Sequence, residues 1–477
     1  MPTIGMGIDI SSLLEAAITG DSHQIINAAQ ALLERGAPAA ELLGRVGMIT
    51  AHGDNEGHAI LTLDAAAALS HWISALPPLA EQNPESHARE LPLLVQALSA
   101  TAPATRAGQT ADKTYPEPFF PSQLPEGKTV SEYMHNAVYN NDLTMVERLL
   151  FGLYGTGADY RTMEVRTYDG ISTTFQNAGH PLMYAVRGFQ LLDAVEWGNR
   201  APNILHWVAP HLPLHTEEPA WIHDVRTFND NPAHSLESLR TRLAAPQEEN
   251  ALPLRRFIMS DADTTQICQG VYDALIKGGA SPRGVGSVIA LTAAELMQLV
   301  SDGDRNTFVQ AAHGLLFSAA VRLVYAQVQD IAALPLLFTS AAYINVLQKS
   351  LQQATASTSQ ATTTSTGTIG GGLIASSLLD DLYTQLDRRD LSGATTTARR
   401  YLRLGNERRA LFATIALIAA QADAAADQGH TLQIVQAAAE ELMAWPHALA
   451  NTNTEPFLQV ALRAATFAQR NTLVNNS

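Results

Sequence analysis

Helical spacing of apolar residues constrains this chain more than any other feature. In Ile60-Leu-Thr-Leu-Asp-Ala-Ala-Ala-Ala-Leu-Ser-His-Trp72 the large apolar side chains fall three and four residues apart, and nothing breaks the run before Pro77. Leu315 to Val328 and Leu411 to Ala426 have the same spacing. Alternating runs closed by Asn-Gly or Asp-Gly turns are nearly absent. The fold expected is all-α, a bundle of four degenerate helical units around a central site. With 46% hydrophobic and 16% charged residues over 477 positions, the chain has ample material for a core.

Three polar or proline-bearing stretches divide the helical text. Residues 101–128 hold Pro103, Pro116, Pro118, Pro121 and Pro125 and read as an extended connector. Residues 226–256 carry the turn signal Asn229-Asp-Asn-Pro232, and residues 354–372 are a Thr/Ser/Gly linker. The helical units are therefore expected at 1–100, 129–225, 257–353 and 373–477, all within one compact domain.

The units resemble one another. The first runs from Leu14-Glu-Ala-Ala-Ile-Thr-Gly-Asp21 through Ala31-Leu-Leu-Glu-Arg-Gly36 to Asn55-Glu-Gly-His58. The second pairs Asn136 to Asp142 with Asn177-Ala-Gly-His180, and the fourth pairs Gln385 to Asp390 with Asp427-Gln-Gly-His430. From Gly36 to His58, Gly155 to His180 and Gly405 to His430 the separations are 22, 25 and 25 residues. The third unit is the weakest match, taking 34 residues from Gly279 to His313. Each unit reads as helix, glycine turn, helix, polar break, then a buried helix opening near a histidine.

His58, His180, His313 and His430 thus occupy equivalent places. Each follows a small residue (Gly57, Gly179, Ala312, Gly429), which lets helices approach a common axis. Each also follows, by three positions, a polar side chain: Asn55, Asn177, Gln310 or Asp427. On a helix, positions three apart share a face, so these groups are candidates to orient the imidazoles. Four neutral imidazoles converging would make a site for iron, copper, nickel or zinc. The competing readings are a non-enzymatic helical scaffold and a haem or metal carrier using two of the histidines.

The small-residue-plus-histidine segments Glu56-Gly-His58, Ala178-Gly-His180, Ala311-Ala-His313 and Gln428-Gly-His430 resemble those of the questin-oxidase-like family. That resemblance implies a helical non-haem Fe(II) oxygenase, with dioxygen activated for oxidation of a phenolic or quinonoid small molecule. A further ligand used in that family, a carboxylated lysine after the last histidine, has no counterpart, because Lys113, Lys128, Lys277 and Lys349 all precede His430. Glu440 or Glu441 on the same helix could replace it.

Tyr184, Arg187 and Gln190 follow His180 along one helical face and could place a hydrogen bond or positive charge near a substrate anion. Arg322 and Tyr325 stand similarly after His313. His206, His211, His215 and His223 read as a connector, since Pro210, Pro213 and Pro219 disrupt helical pairing. Gly284-Val-Gly286 and Gly367 to Gly372 lack the context of a nucleotide-binding turn, so electrons would come from the substrate or a separate reductase. A net charge of −16 disfavours nucleic-acid partners. The single cysteine, Cys268, excludes a disulfide framework. Met1 to Ile10 lacks a basic segment, and Ala410 to Ala422 is too short to cross a bilayer. The expected setting is cytoplasmic, without a membrane partner.

Overall fold

A computed structural model describes residues 8–76, 89–112, 114–195, 201–234, 239–240, 251–327, 330–355 and 375–471. Among these, 21 α-helices carry the fold, with no β-strand beyond an isolated bridge between Ala422 and Arg470. The all-α expectation holds.

Four helices form the centre: His58–Ser74, His180–Asp193, Arg305–Gln327 and His430–Met443. Each packs against the next, and the last returns to the first, closing a circuit. Their sequences are apolar on nearly every side, as a surrounded helix requires. Ile60, Leu61, Leu63, Leu69 and Ile73 are all buried in the first, and Leu432, Ile434, Val435 and Leu442 in the last. Peripheral helices are one-sided instead. Leu391–Arg403 buries Ala394, Ala398 and Tyr401 and carries its arginines on the opposite side.

Buried polar pairing shows that the four central helices run in the same direction. Asp64, Arg187, Arg322, Glu440 and Glu441 lie six to eleven residues beyond their own helix's histidine. The Nη1 of Arg187 binds Glu440 Oε2 at 2.8 Å and lies 3.7 Å from Asp64 Oδ2, while Arg322 pairs with Glu441. Gln436 Nε2 donates to Asp64 Oδ2 at 2.8 Å and to Glu440 Oε1 at 3.0 Å. A charged layer thus crosses the bundle roughly two to three turns from the histidines.

Several expected boundaries fall elsewhere. The helix Leu91–Thr110 runs straight through Pro103, into the region read as a connector. An interior proline costs a helix about 3 kcal/mol. Here Leu94, Leu98, Thr101, Ala102 and Thr105 are all buried along that helix, and their packing outweighs the penalty. Trp221–Asp230 and Pro253–Ile258 likewise extend into the stretch read as the second connector. The Thr/Ser/Gly linker lies mostly outside the described residues. The run from Leu411 ends as a helix at Ala419, because the chain then turns to meet its C-terminal segment. There Asp423 N–H donates to Gln469 at 2.7 Å, and Asn471 N–H to Gln421 at 3.0 Å.

Left-handed glycines recur at Gly36, Gly157, Gly279 and Gly405, so the second unit's turn glycine is Gly157 rather than Gly155. The third unit departs further. His313 lies inside Arg305–Gln327, eight residues after its start, with no left-handed residue before it. Arg305–Ala326 and Ile331–Gln352 are long and apolar enough to cross a membrane, unlike Ala410 to Ala422; 72% and 78% of their most apolar windows are buried inside the fold.

Candidate metal centre

His58, His180 and His430 each open their helix, and each follows a glycine held in the left-handed region. That turn swings the chain into the helix with the imidazole directed to the interior. Gly179 has φ +86°, and a Cβ there would fall 2.2 Å from Phe317 Cδ2; at Gly429, φ is +73° and Thr62 Oγ1 would be 2.0 Å away. Only glycine fits either place.

The four rings form a closed circuit. Ring centroids are 4.6 Å apart for His58 and His180, 5.2 Å for His180 and His313, 5.0 Å for His313 and His430, and 5.1 Å for His430 and His58. Imidazoles bound to one ion at 2.0–2.1 Å would have neighbouring centroids about 4.5 Å apart in a square and about 5.2 Å apart in a tetrahedron. The centroid spacing falls in the range of a shared centre. Among the described residues, no three His, Cys, Asp or Glu side chains are arranged to hold a metal ion as they stand.

Hydrogen bonding fixes the chemistry of three rings. Nδ1 of His180 meets the Asn177 carbonyl at 2.5 Å, Nδ1 of His430 meets the Asp427 carbonyl at 2.5 Å, and Nδ1 of His313 meets the Val309 carbonyl at 2.9 Å. A carbonyl only accepts, so each Nδ1 must carry the hydrogen, and in the neutral ring Nε2 is left as a lone-pair donor to metals. His313 and His430 direct these Nε2 atoms at each other across 3.3 Å. The fourth ring is held less firmly, since His58 Nδ1 is buried with no hydrogen-bond partner.

Burial pushes all four histidines towards the neutral form. Desolvation, then the neighbouring imidazoles, bring His58 down to about 3. Desolvation and His313 bring His180 and His430 down to about 4, against the pull of their carbonyl partners, and burial lowers His313 as well.

The orienting groups differ from those expected. Side chains of Asn55, Asn177 and Gln310 are exposed, and main-chain carbonyls do the orienting instead. Asp427 also acts through its backbone oxygen. Its buried carboxylate accepts from Gly429 N–H, Thr431 N–H and the Thr431 hydroxyl, fastening the start of the helix, and pairs with Arg305 at 2.9 Å. Asp54, absent from the residues expected at the site, does the same for His58–Ser74 by accepting from Gly57 and Ile60 N–H. Its signal was an acidic residue shortly before a Gly-His pair, as at Asp427.

Glu441 is fully buried against Arg322, and Glu440 is bound to Arg187. Eleven residues of helix put Glu441 roughly 16 Å along the axis from His430, so neither carboxylate reaches the imidazoles as a substitute ligand. Arg187, 5% exposed, is likewise committed to Glu440, Asp64 and Gln190. Tyr184 stacks on His211, with centroids 3.7 Å apart, and its buried hydroxyl has no partner. His211 is not a connector residue; it closes the short helical turn Ala209–His211. It packs close to Gly57, with burial bringing it down to about 3. His206 pairs with Glu147 at 2.8 Å, and His215 and His223 are exposed.

Comparison with protein-family models, curated proteins and solved structures finds no match. None of these comparisons links the chain to the questin-oxidase-like family.

Proposed function

We propose that the four imidazoles bind one transition-metal ion, Fe(II) first among the candidates, and that the chain is a non-haem oxygenase for a small aromatic or quinonoid molecule. The observation that carries the reading is the contact between His313 and His430. Two lone-pair nitrogens face one another at 3.3 Å, a contact that repels unless a cation or a proton lies between them. Ligands of a tetrahedral ion bound at 2.0–2.1 Å are about 3.3–3.4 Å apart, so this pair already has the spacing of one coordination edge. Turning the His58 ring would break no hydrogen bond at its Nδ1, which has no partner.

Imidazole suits iron, copper, nickel and zinc. Iron is placed first because the motif resemblance implies it. When bound, the ion would supply Lewis acidity and the redox chemistry of dioxygen activation. The chain's part is to orient: the carbonyls of Asn177, Val309 and Asp427 hold three rings in the metal-binding tautomer. Surrounding apolar helices bury His180 and His430. Electrons would come from an electron-rich substrate or a separate reductase.

The test is anaerobic loading of metal-free protein with Fe(II), followed by oxygen uptake in the presence of hydroxylated naphthoquinones and anthraquinones. Uptake requiring both iron and aromatic, and lost in His430→Ala, supports the oxygenase. Iron bound without uptake across the panel contradicts the oxygenase and leaves a metal carrier. Failure to bind any of the four metals contradicts the whole reading.

A further inference from the structure

Two clefts of about 890 and 430 Å³ meet on the surface at Thr452 and Asn453, which line both. They lie away from the histidine circuit. Leu442, in the wall of the second, is twelve residues beyond His430 on the same helix, about 18 Å along its axis.

Charge gathers there with the sign opposite to the chain's. Arg255, Arg256 and Glu295 line the first cleft; Arg399, Arg403, Arg408 and Glu455 line the second. Glu295 is taken up by Arg255, and Glu455 by Arg399. Arg256, Arg403 and Arg408 are exposed, and among the described residues none of the three has a carboxylate partner. Arg408 donates to the Leu442 carbonyl at 3.1 Å, which leaves its charge uncompensated. Beside it, exposed Glu407 and Arg409 offset one another. Five arginines against two glutamates leave these walls with three positive charges, in a chain of net charge −16.

The rest of the lining is mixed. Leu252, Met259 and Leu449 give the first cleft apolar surface, as Leu402, Leu442 and Leu458 do in the second. Asn451 and Asn453 present exposed amides, and the Thr452 hydroxyl at the junction has no hydrogen-bond partner.

We propose that the joined clefts dock an acidic peptide segment of a partner protein, its carboxylates on Arg256, Arg403 and Arg408 and its apolar side chains on the leucines. Guanidinium groups pair strongly with carboxylates, and their division between two clefts calls for an extended ligand rather than one small anion. A lipid anion matches the charge but not the openness of the site. Its acyl chain would stay partly in water, at a cost of about 0.8 kcal/mol for each CH2 left unburied. A peptide backbone is satisfied by the asparagine amides and by solvent. Nucleic acid is repelled by the acidic remainder of the surface. The proposal is independent of the metal centre, so metal-free protein serves for its test.

Random dodecapeptides displayed on phage are selected on the full chain at about 0.15 M salt. The most enriched peptide is then measured by fluorescence anisotropy against the unaltered chain and an Arg256→Gln, Arg403→Gln double variant. Neither arginine has a carboxylate partner to lose, so the variant should keep the helical circular-dichroism spectrum. The expected result is enrichment of peptides that combine net negative charge with apolar residues, and at least tenfold weaker binding to the double variant. Should that variant misfold, replacing the peptide's carboxylates by amides decides instead, with the same tenfold loss expected. Enrichment of neutral or basic peptides, or of none, overturns the proposal, as does an acidic peptide bound equally by both proteins or equally well as its amide. Binding of phosphatidylserine vesicles without selection of acidic peptides also overturns it and makes this face a membrane contact.

Discussion

His313 and His430 meet through their Nε2 atoms at 3.3 Å while each gives its Nδ1 hydrogen to a main-chain carbonyl of its own segment. These residues are 117 positions apart, so only the tertiary fold brings them together. Neutral rings placed this way oppose two lone pairs, an arrangement that persists because the surrounding helices fix both backbones. A cation at the centre would turn that repulsion into shared coordination. Bound metal should therefore stabilise the fold, with effects traceable to individual residues around the circuit.

The glycines ahead of the histidines should differ in their tolerance of alanine. Gly179→Ala and Gly429→Ala combine a left-handed backbone with clashes at Phe317 and Thr62, and should each cost about 2–4 kcal/mol. At Gly57 the nearest atom to an added Cβ is Tyr184 Cδ2 at 3.2 Å, so Gly57→Ala should cost only about 1–2 kcal/mol. Urea unfolding of the three variants checks the order. A Gly57 variant as damaged as the others would contradict the packing described.

The buried pair Arg322–Glu441 should behave as a unit. Arg322→Met or Glu441→Leu alone leaves an uncompensated charge among apolar helices and should cost about 3–5 kcal/mol. The double variant should recover most of that loss, as a double-mutant cycle on unfolding free energies would reveal. Additive losses would mean the two side chains do not compensate each other.

Stability should fall with rising pH through the titration of Glu90. This residue is 6% exposed, and burial pushes it up to about 7, partly offset by Ser74. The folded state thus binds the Glu90 proton more tightly than the unfolded chain does. Its contribution is fully present below the unfolded value near 4.5 and is lost as pH climbs through about 7. Asp54, raised to about 6, acts in the same direction. Glu90→Gln should therefore gain about 1–3 kcal/mol over the native chain at about pH 8 and little at about pH 4.5, measured by urea unfolding at the two pH values. An equal difference at both would contradict the burial of an ionisable group there.

The central helices could be read from the sequence because a surrounded helix must be apolar on most sides, as Ile60 to Trp72 is. The Gly-His pairs were legible for a related reason: a left-handed glycine and an inward ring leave a local signature at 57–58, 179–180 and 429–430. His313 follows Ala312 rather than a glycine, and Gln310-Ala-Ala-His313 carries no turn signal, so the helix start near it is not marked in the sequence. Its orienting group was out of reach, because a main-chain carbonyl such as that of Val309 has no identity in sequence. Pro103 misled because its local cost is overcome by packing partners distant in the chain. Arg305 comes to Asp427 only through helix crossings that no local pattern encodes.

Metal stoichiometry of the purified chain, set beside His180→Ala and His430→Ala, decides whether the four imidazoles share one ion. After loading with Fe(II) and removal of free ion, the unaltered protein should hold about one metal per chain. Both variants should lose it while retaining the helical circular-dichroism spectrum. Metal retained in equal amount by both variants, or none taken up by a well-folded unaltered chain, would contradict a shared ion.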